Sequence, residues 1–375
     1  MRRSWAKFTL MSLLALLGMA ASAASKDSSN AIARLLNSRA AGSPNAYVEA
    51  ARTVAKDAEA GRPLQQYVIA LVAEDAGFPA ELRLSPETRQ RYLSQSRQKI
   101  RTLAESKGNA LAWYLLSLEE NNLTYLKRAA EGGNVQALNA WGTITLTQAL
   151  QNPGVDTNDV DKIIVKSFGY FKDAAAQGDA NGQYNLGMCY LHGYGCVRDQ
   201  DLAFNSFRAS ALAGHPEAIN NIGGFYRDGI VVEKNLEQAA RWFKKSADLG
   251  NAYGQLNYAL ALQRGEGVPR DIAAAVAIFK AAAEQGQAEA MNAYGMCFFT
   301  GDGVEKTPGE AVNWFRRSAQ LGFPPAMDNL ASCYKLGVGV REDETEATVW
   351  KVRAMAARGD RNAAAWLSQN GHTLR

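Results

Sequence analysis

Histidine is almost missing from this chain: its 375 residues carry three, His192, His215 and His372. No two of them stand at metal-ligand spacing, and no serine or cysteine nucleophile has an evident base as partner, so neither a metal centre nor a nucleophilic triad is expected. The sequence therefore nominates no catalytic residue, no metal ligand and no cofactor. Charge excess of either sign is missing too. The 41 basic and 37 acidic residues leave a formal +4, and no dense Lys/Arg cluster offers the basic stripe that nucleic-acid binding needs. Alternation of period two is never sustained, which excludes an extensive sheet. No run reaches the roughly 20 apolar residues of a membrane-spanning helix.

The nearest approach to such a run is at the start. "MRRSWAKF" carries Arg2, Arg3 and Lys7, "FTLMSLLALLGMA" supplies a short apolar stretch, and "ASAAS" offers small residues. This is the three-part layout of a secretory signal peptide over residues 1–23, with cleavage near Ala23. The mature chain is expected to be exported, periplasmic or secreted, without a transmembrane segment. Removing the three basic residues takes the formal charge from +4 to +1.

What the chain has in abundance is repetition. Gly193-Tyr194-Gly195 reads like a phosphate loop entering a helix, a place where backbone N–H groups converge on anions. Yet it recurs at steps of 36 residues as Gly229-Ile230-Val231, Gly265-Glu266-Gly267, Gly301-Asp302-Gly303 and Gly337-Val338-Gly339. Small residues at Gly187, Gly223, Ala259, Gly295 and Ala331 keep the same step, as do Phe207, Phe243, Phe279 and Phe315. A fixed period in this range means an array of stacked units. Each loop follows a helical pattern rather than a strand, so it is not a P-loop.

Each unit reads as two helices. The first, called A here, carries small or apolar residues at helical spacing and ends at the loop glycines. The second, B, starts from Asp199, Asn235, Asp271, Thr307 or Asp343 as N-cap. Gln238, Glu310 and Glu346 stand three residues on, where a reciprocal capping box would place them. Such pairs bury their apolar faces only by stacking on neighbours.

The stretch "AMNAYGMCFFTGDGVEKTPGEAVNWFRRSAQLG" and its equivalents carry a pattern that resembles the Sel-1-like repeat family, relatives of tetratricopeptide repeats. The resemblance is clear from about Phe168 to Gly359 and degrades upstream. It implies an all-α fold, a right-handed α-solenoid of stacked antiparallel helix pairs. The domains are then a signal peptide at 1–23, a flexible segment at 24–43 and degenerate helical repeats at 44–165. Regular repeats follow at 166–359, then a C-terminal capping helix and tail at 360–375. The resemblance further implies non-enzymatic protein recognition, with adaptor, assembly, regulatory or toxin-immunity work as its forms.

Candidate sites follow from the register. Asn185, Asn221, Asn257 and Asn329 share one A-helix slot, interrupted by Ala293. Helix geometry sets that row beside Tyr253 and beside Met188 and Met296. The resemblance places A helices on a concave face, where side-chain amides can clamp an extended peptide. The competing reading is that these amides bond to the adjacent helix as repeat consensus. A carbohydrate or peptidoglycan binder would instead need aromatics such as Tyr253 and Tyr184 coplanar there, and a cell-wall hydrolase would need clustered carboxylates or histidines. Cys189, Cys297 and Cys333 share a slot and read as small core residues, since equivalent slots in adjacent units lie about 8–10 Å apart, too far for a disulfide. Cys196 replaces the loop valine of the other units, and in an oxidising compartment a Cys189–Cys196 bridge is open to it. The histidines read as exposed and uninvolved.

Overall fold

The computed structural model describes residues 44–60, 62–73, 78–151 and 157–373, with Ile32 and Leu35. The signal-peptide reading and the 24–43 segment, those two residues aside, lie outside them. Among the described residues the chain is all helical, with 18 α-helices and no strand. It is an α-solenoid in which consecutive helices pack as antiparallel neighbours. Two compact units divide at Ala218 and Ile219, inside the regular array.

In the unit that ends at Ala218, nine α-helices run among the described residues from Pro44–Glu59 to Gln200–Leu212. One cluster around Tyr67, Tyr114, Leu115 and Leu116 forms its core upstream of the regular repeats. The degenerate region keeps the repeat's packing rule. A methyl at Gly142 would stand 2.8 Å from the Phe171 ring, as one at Gly187 would from Phe207.

In the unit from Ile219 onward, A and B helices are 13 residues each until the last B helix, Glu344–Ala357, which has 14. A helices end at a left-handed glycine, as at Gly265 (φ 72°), whose N–H donates to Ala261 O. B helices start as the sequence indicates at Asn235, Asp271 and Asp343, whose side chains accept from the N–H three residues on. Thr307 departs from this: its side chain makes no cap, and its Oγ1 donates to Glu305 O at 3.2 Å instead. The reciprocal half of the capping box is also replaced. The N-cap N–H of Asn235, Asp271, Thr307 and Asp343 donates to Tyr226, Leu262, Phe298 and Tyr334 O, nine residues back in the A helix. The glutamates are therefore not needed for it, and each B helix is tied directly to its own A helix.

The core of each pair is a phenylalanine laid on a small residue. Phe243, Phe279 and Phe315 are buried, and methyls at Gly223 and Gly295 would meet the rings of Phe243 and Phe315 at 2.6 and 2.8 Å. Trp242, Trp314 and Trp350 each carry a cation three residues on: Lys245, Arg317 and Arg353 sit 5.3, 4.6 and 4.5 Å from the ring centroids. The tryptophans are thus packing elements, with the cation–π contact covering their outer faces.

Candidate functional site

The A-helix face is built by helical geometry. Positions spaced by three and four residues share one side, so Tyr253, Asn257, Leu260 and Arg264 form one stripe. Tyr253 is 59% exposed, while Asn257 and Leu260 are half-buried. On the following A helices Glu289, Ala293, Met296 and Thr300 take these positions, then Pro325, Asn329, Ser332 and Leu336. Leu336 stands 68% exposed at the edge.

The amides of this row are held sideways, from repeat to repeat. Asn257 Nδ2 donates to Asn220 Oδ1 at 2.8 Å, and Asn329 Nδ2 donates to Asn292 Oδ1 at 2.8 Å. Asn329 Nδ2 also lies 3.6 Å from Met296 Sδ, and Arg227 Nη1 reaches Asn257 Oδ1 at 3.5 Å. Where the row breaks at Ala293, the preceding repeat presents Leu256, and the two share an apolar cluster. Asn221 is half-buried on Pro216–Asp228. In the other unit Asn185 Nδ2 reaches Asn139 Oδ1 at 3.5 Å, and Met188 is half-buried nearby. A carboxamide has two N–H groups and two acceptor lone pairs, so one lateral bond orients it without exhausting it.

The partner residues Asn139, Asn220 and Asn292 were not singled out by sequence, although a signal existed. Amide at 220 and 292 is followed 37 positions later by Asn257 and Asn329, and Leu256 is followed by Ala293. The row ends at Asp328, one position before Asn329, whose carboxylate takes Lys351 Nζ at 2.8 Å and also Arg358. Burial pushes this carboxyl up, but the bonds from Arg358 and Lys351 outweigh it, and its pKa lies below the usual range.

Cys189 and Cys196 are both thiols: Cys196 Sγ lies 3.4 Å from the Cys189 carbonyl oxygen, a main-chain hydrogen bond where the sequence had left room for a bridge. Cys189, Cys297 and Cys333 are buried, and burial raises all three thiols, to about 12 for Cys189 and about 11 for Cys297.

His215 corrects the expectation of an exposed, uninvolved histidine. It is 6% exposed, stacked on Tyr184 with centroids 4.4 Å apart. It occupies the A-helix N-cap position that Asp179 and Asn251 hold one repeat on either side, and Nδ1 accepts from Ala218 N at 3.3 Å. Glu217 Oε2 lies 3.2 Å from the same Nδ1 and would favour an N–H there. The Glu217 side chain is 46% exposed and screened, so burial decides: His215 stays neutral, its pKa pushed down to about 4. Asp179 moves oppositely. Burial raises it to about 6 against the bonds from Gly182 N and Asn139.

The two shifts give opposite pH dependences. For His215 the unfolded chain binds the extra proton below about 6.5, so stability falls as pH drops from there to about 4. For Asp179 the folded chain binds the extra proton below about 6, so stability rises as pH drops from there toward the unfolded value of 3.8. Urea midpoints of the wild type should change little between pH 4 and 7 on their account. Asp179→Asn keeps the cap, as Asn251 does, and should stabilise by about 1–2 kcal/mol at pH 7 while exposing the acid loss from His215. A variant whose midpoint has the same pH slope as wild type would rule this out.

Among the described residues no group of three His, Cys, Asp or Glu side chains could hold a metal, and no helix is long and apolar enough to cross a membrane. The Sel1 repeat model matches residues 180–215, 216–251, 252–287, 288–323 and 324–350. No curated protein sequence matches the chain. Among solved structures it is similar to a protective antigen of uropathogenic Escherichia coli with an SLR fold. The identity is 27% over 85% of this chain and 67% of the other, with a TM-score of 0.54. It is also similar to a Sel1 repeat protein from Oxalobacter formigenes, at 26% identity over 68% of this chain and 94% of the other, with a TM-score of 0.52. Unbroken tandem matches at the 36-residue step, on helix pairs that stack as such repeats do, make residues 180–350 of this chain five consecutive members of the Sel1 repeat family.

Proposed function

We propose that the chain is an exported, non-enzymatic interaction scaffold of the cell envelope that holds a protein or peptide partner on its A-helix face. One observation carries this reading: Asn257 and Asn329 are pre-oriented by their neighbours on the helix face where Tyr253 stands exposed. Side chains fixed before binding lose little entropy on meeting a ligand, and an exposed tyrosine is a common interface anchor. Sel1 repeats are generally interaction modules, which fits. The buried, shifted groups Asp179 and His215 act as helix caps rather than as a catalytic pair. A carbohydrate platform finds less support, because the Tyr184 ring is stacked on His215.

The test is a pull-down from envelope fractions with protein purified from the periplasm, whose intact mass should correspond to a chain starting at Ala24. Tyr253→Ala should leave folding unchanged, since the side chain is exposed, and should weaken partner capture about tenfold or more. Equal capture by both baits would remove the A-helix face from the mechanism. A mass retaining residues 1–23 would remove export by cleavage.

A further inference from the structure

Two asparagines in the chain are followed directly by glycine, at Asn181-Gly182 and Asn370-Gly371. Such a step carries its own nucleophile. Glycine has no Cβ to shield its amide nitrogen, and the asparagine side-chain carbonyl stands beside it, so attack is intramolecular and favoured by proximity.

The fold blocks the first step and leaves the second open. Asn181 is buried inside Ala180–His192, and the Gly182 N–H donates to Asp179 Oδ1 at 2.7 Å. A methyl at Gly182 would stand 2.6 Å from Ala175 N, so the main chain there has no room to turn. Asn370 and Gly371 are both exposed, just past the helix Arg361–Gln369. A methyl at Gly371 would meet nothing within 4 Å, and its N–H reaches Ser368 O only at 3.4 Å. Attack requires Asn370 to leave its ψ of 12°, and an exposed helix end opens at lower cost than a packed interior.

The contacts of this turn give the reaction a consequence. Asn370 Nδ2 donates to Trp366 O at 2.8 Å, and His372 N donates to Leu367 O at 2.8 Å. His372 is thereby laid on the Trp366 ring, with centroids 6.0 Å apart and planes 12° from parallel. Arg353 Nε donates to Thr373 O at 2.9 Å. Trp366 falls in the slot of Asn329. The last B helix is longer by one residue, so Gly359 matches Gly322, Leu367 matches Leu330 and Trp366 matches Asn329. The turn thus covers the final position of the amide row.

We propose that Asn370-Gly371 is a site of spontaneous deamidation, and that the reaction releases this turn from Trp366. Hydroxide takes the Gly371 amide proton, and the nitrogen adds its electron pair to Asn370 Cγ. The new N–Cγ bond forms, the Cγ–Nδ2 bond breaks, and Nδ2 takes a proton from water and leaves as ammonia. Water then opens the succinimide ring at either carbonyl, giving isoaspartate or aspartate. One water is consumed and one ammonia released, with nothing oxidised or reduced. The product carboxylate faces the Trp366 carbonyl where an N–H donor stood, at a helix end whose dipole disfavours negative charge. Isoaspartate also adds a carbon to the main chain, which draws His372 away from Leu367 O and off the Trp366 ring. The site does not depend on which partner the A-helix face holds.

The test holds the full-length mature protein in warm, mildly alkaline buffer, then maps its tryptic peptides by mass spectrometry. Peptide 362–375 should gain about 1 Da, placed at residue 370 by fragmentation. Peptide 173–198, which carries Asn181, should react at least about tenfold more slowly. In urea the two steps should react at similar rates, since the contrast belongs to the fold. Asn370→Gln keeps an amide but disfavours the ring, and should abolish the gain. With three histidines in the chain, NMR of the imidazole C–H groups resolves His372. The Trp366 ring current displaces its signal. In the deamidated protein the signal should move to where Trp366→Ala places it, and in Asn370→Gln held equally long it should stay. No reaction at Asn370, equal reaction at both steps in the folded chain, or an unmoved His372 signal after deamidation would overturn the proposal.

Discussion

Gly267→Ala is expected to destabilise the mature chain by about 3 kcal/mol or more, while Gly250→Ala should cost about 1–2 kcal/mol. Both glycines have left-handed backbone, φ 73° and 81°, so the conformational penalty is shared. Their surroundings differ. A methyl at Gly250 would meet nothing within 4 Å, whereas one at Gly267 would collide with the Leu236 carbonyl and stand 2.7 Å from Glu237 N. The second loop glycine is where one repeat lies against the first turn of the preceding B helix, and main chain cannot step aside as a side chain can. Gly339→Ala should resemble Gly267→Ala, because its methyl would press on the Pro308 carbonyl and stand 3.0 Å from Gly309 N. Gly303→Ala should fall between, since its nearest neighbours are the side chains of Ile272 and Val276 at 2.9 and 3.0 Å. Urea midpoints at constant slope would read the series. Equal losses at Gly267 and Gly250 would mean that loop contact does not govern stacking.

The same slot shows what sequence could and could not convey. Val231 holds the position of Gly195, Gly267, Gly303 and Gly339 and adopts φ 66°, a conformation that a β-branched residue resists. The repeat period revealed that position, but not that Val231 would keep the left-handed backbone. The period, helix bounds and phenylalanine rows were legible because each recurs and its spacing dictates a face. Bonding of the asparagine row to the adjacent helix was one of the two readings the sequence offered, but its partners, such as Asn220 for Asn257, were not legible, because the bonds join slots offset by one position between repeats rather than equivalent ones. His215 was misread because a histidine N-cap has no sequence signature apart from the slot it fills. Ser210 and Ser318 were passed over for a related reason. Their buried hydroxyls donate to Ala180 and Ala288 O at 2.7 and 2.6 Å, tying each B helix to the start of its own A helix. A small polar residue in an alanine-rich face looks like tolerated variation until its acceptor is known.

Phe315→Ala should cost about 3–5 kcal/mol, the range for truncating a fully buried aromatic ring. The side chain is 1% exposed and packs against Gly295, where an added methyl would stand 2.8 Å from the ring. That closeness makes the two positions one packing unit and predicts a change of sign. In the wild type Gly295→Ala should destabilise, because the methyl displaces a ring that has no room to move. In the Phe315→Ala background the same methyl enters the void, and the helix also gains about 1 kcal/mol from replacing an interior glycine. Gly295→Ala should then be stabilising, and the cycle should show a coupling of about 1–3 kcal/mol. Ala259 opposite Phe279 shows that the pair can be built the other way, provided the ring is placed for it from the start. Stability in such arrays is approximately a sum of unit and nearest-neighbour terms, so the loss should fall on the repeats around Phe315 first. Hydrogen exchange should report faster opening of Ala288–Thr300 and Pro308–Gln320 than of Gln200–Leu212. Additive effects in the cycle, or uniform loss of protection along the chain, would show that the phenylalanine and the small residue do not act as a local pair.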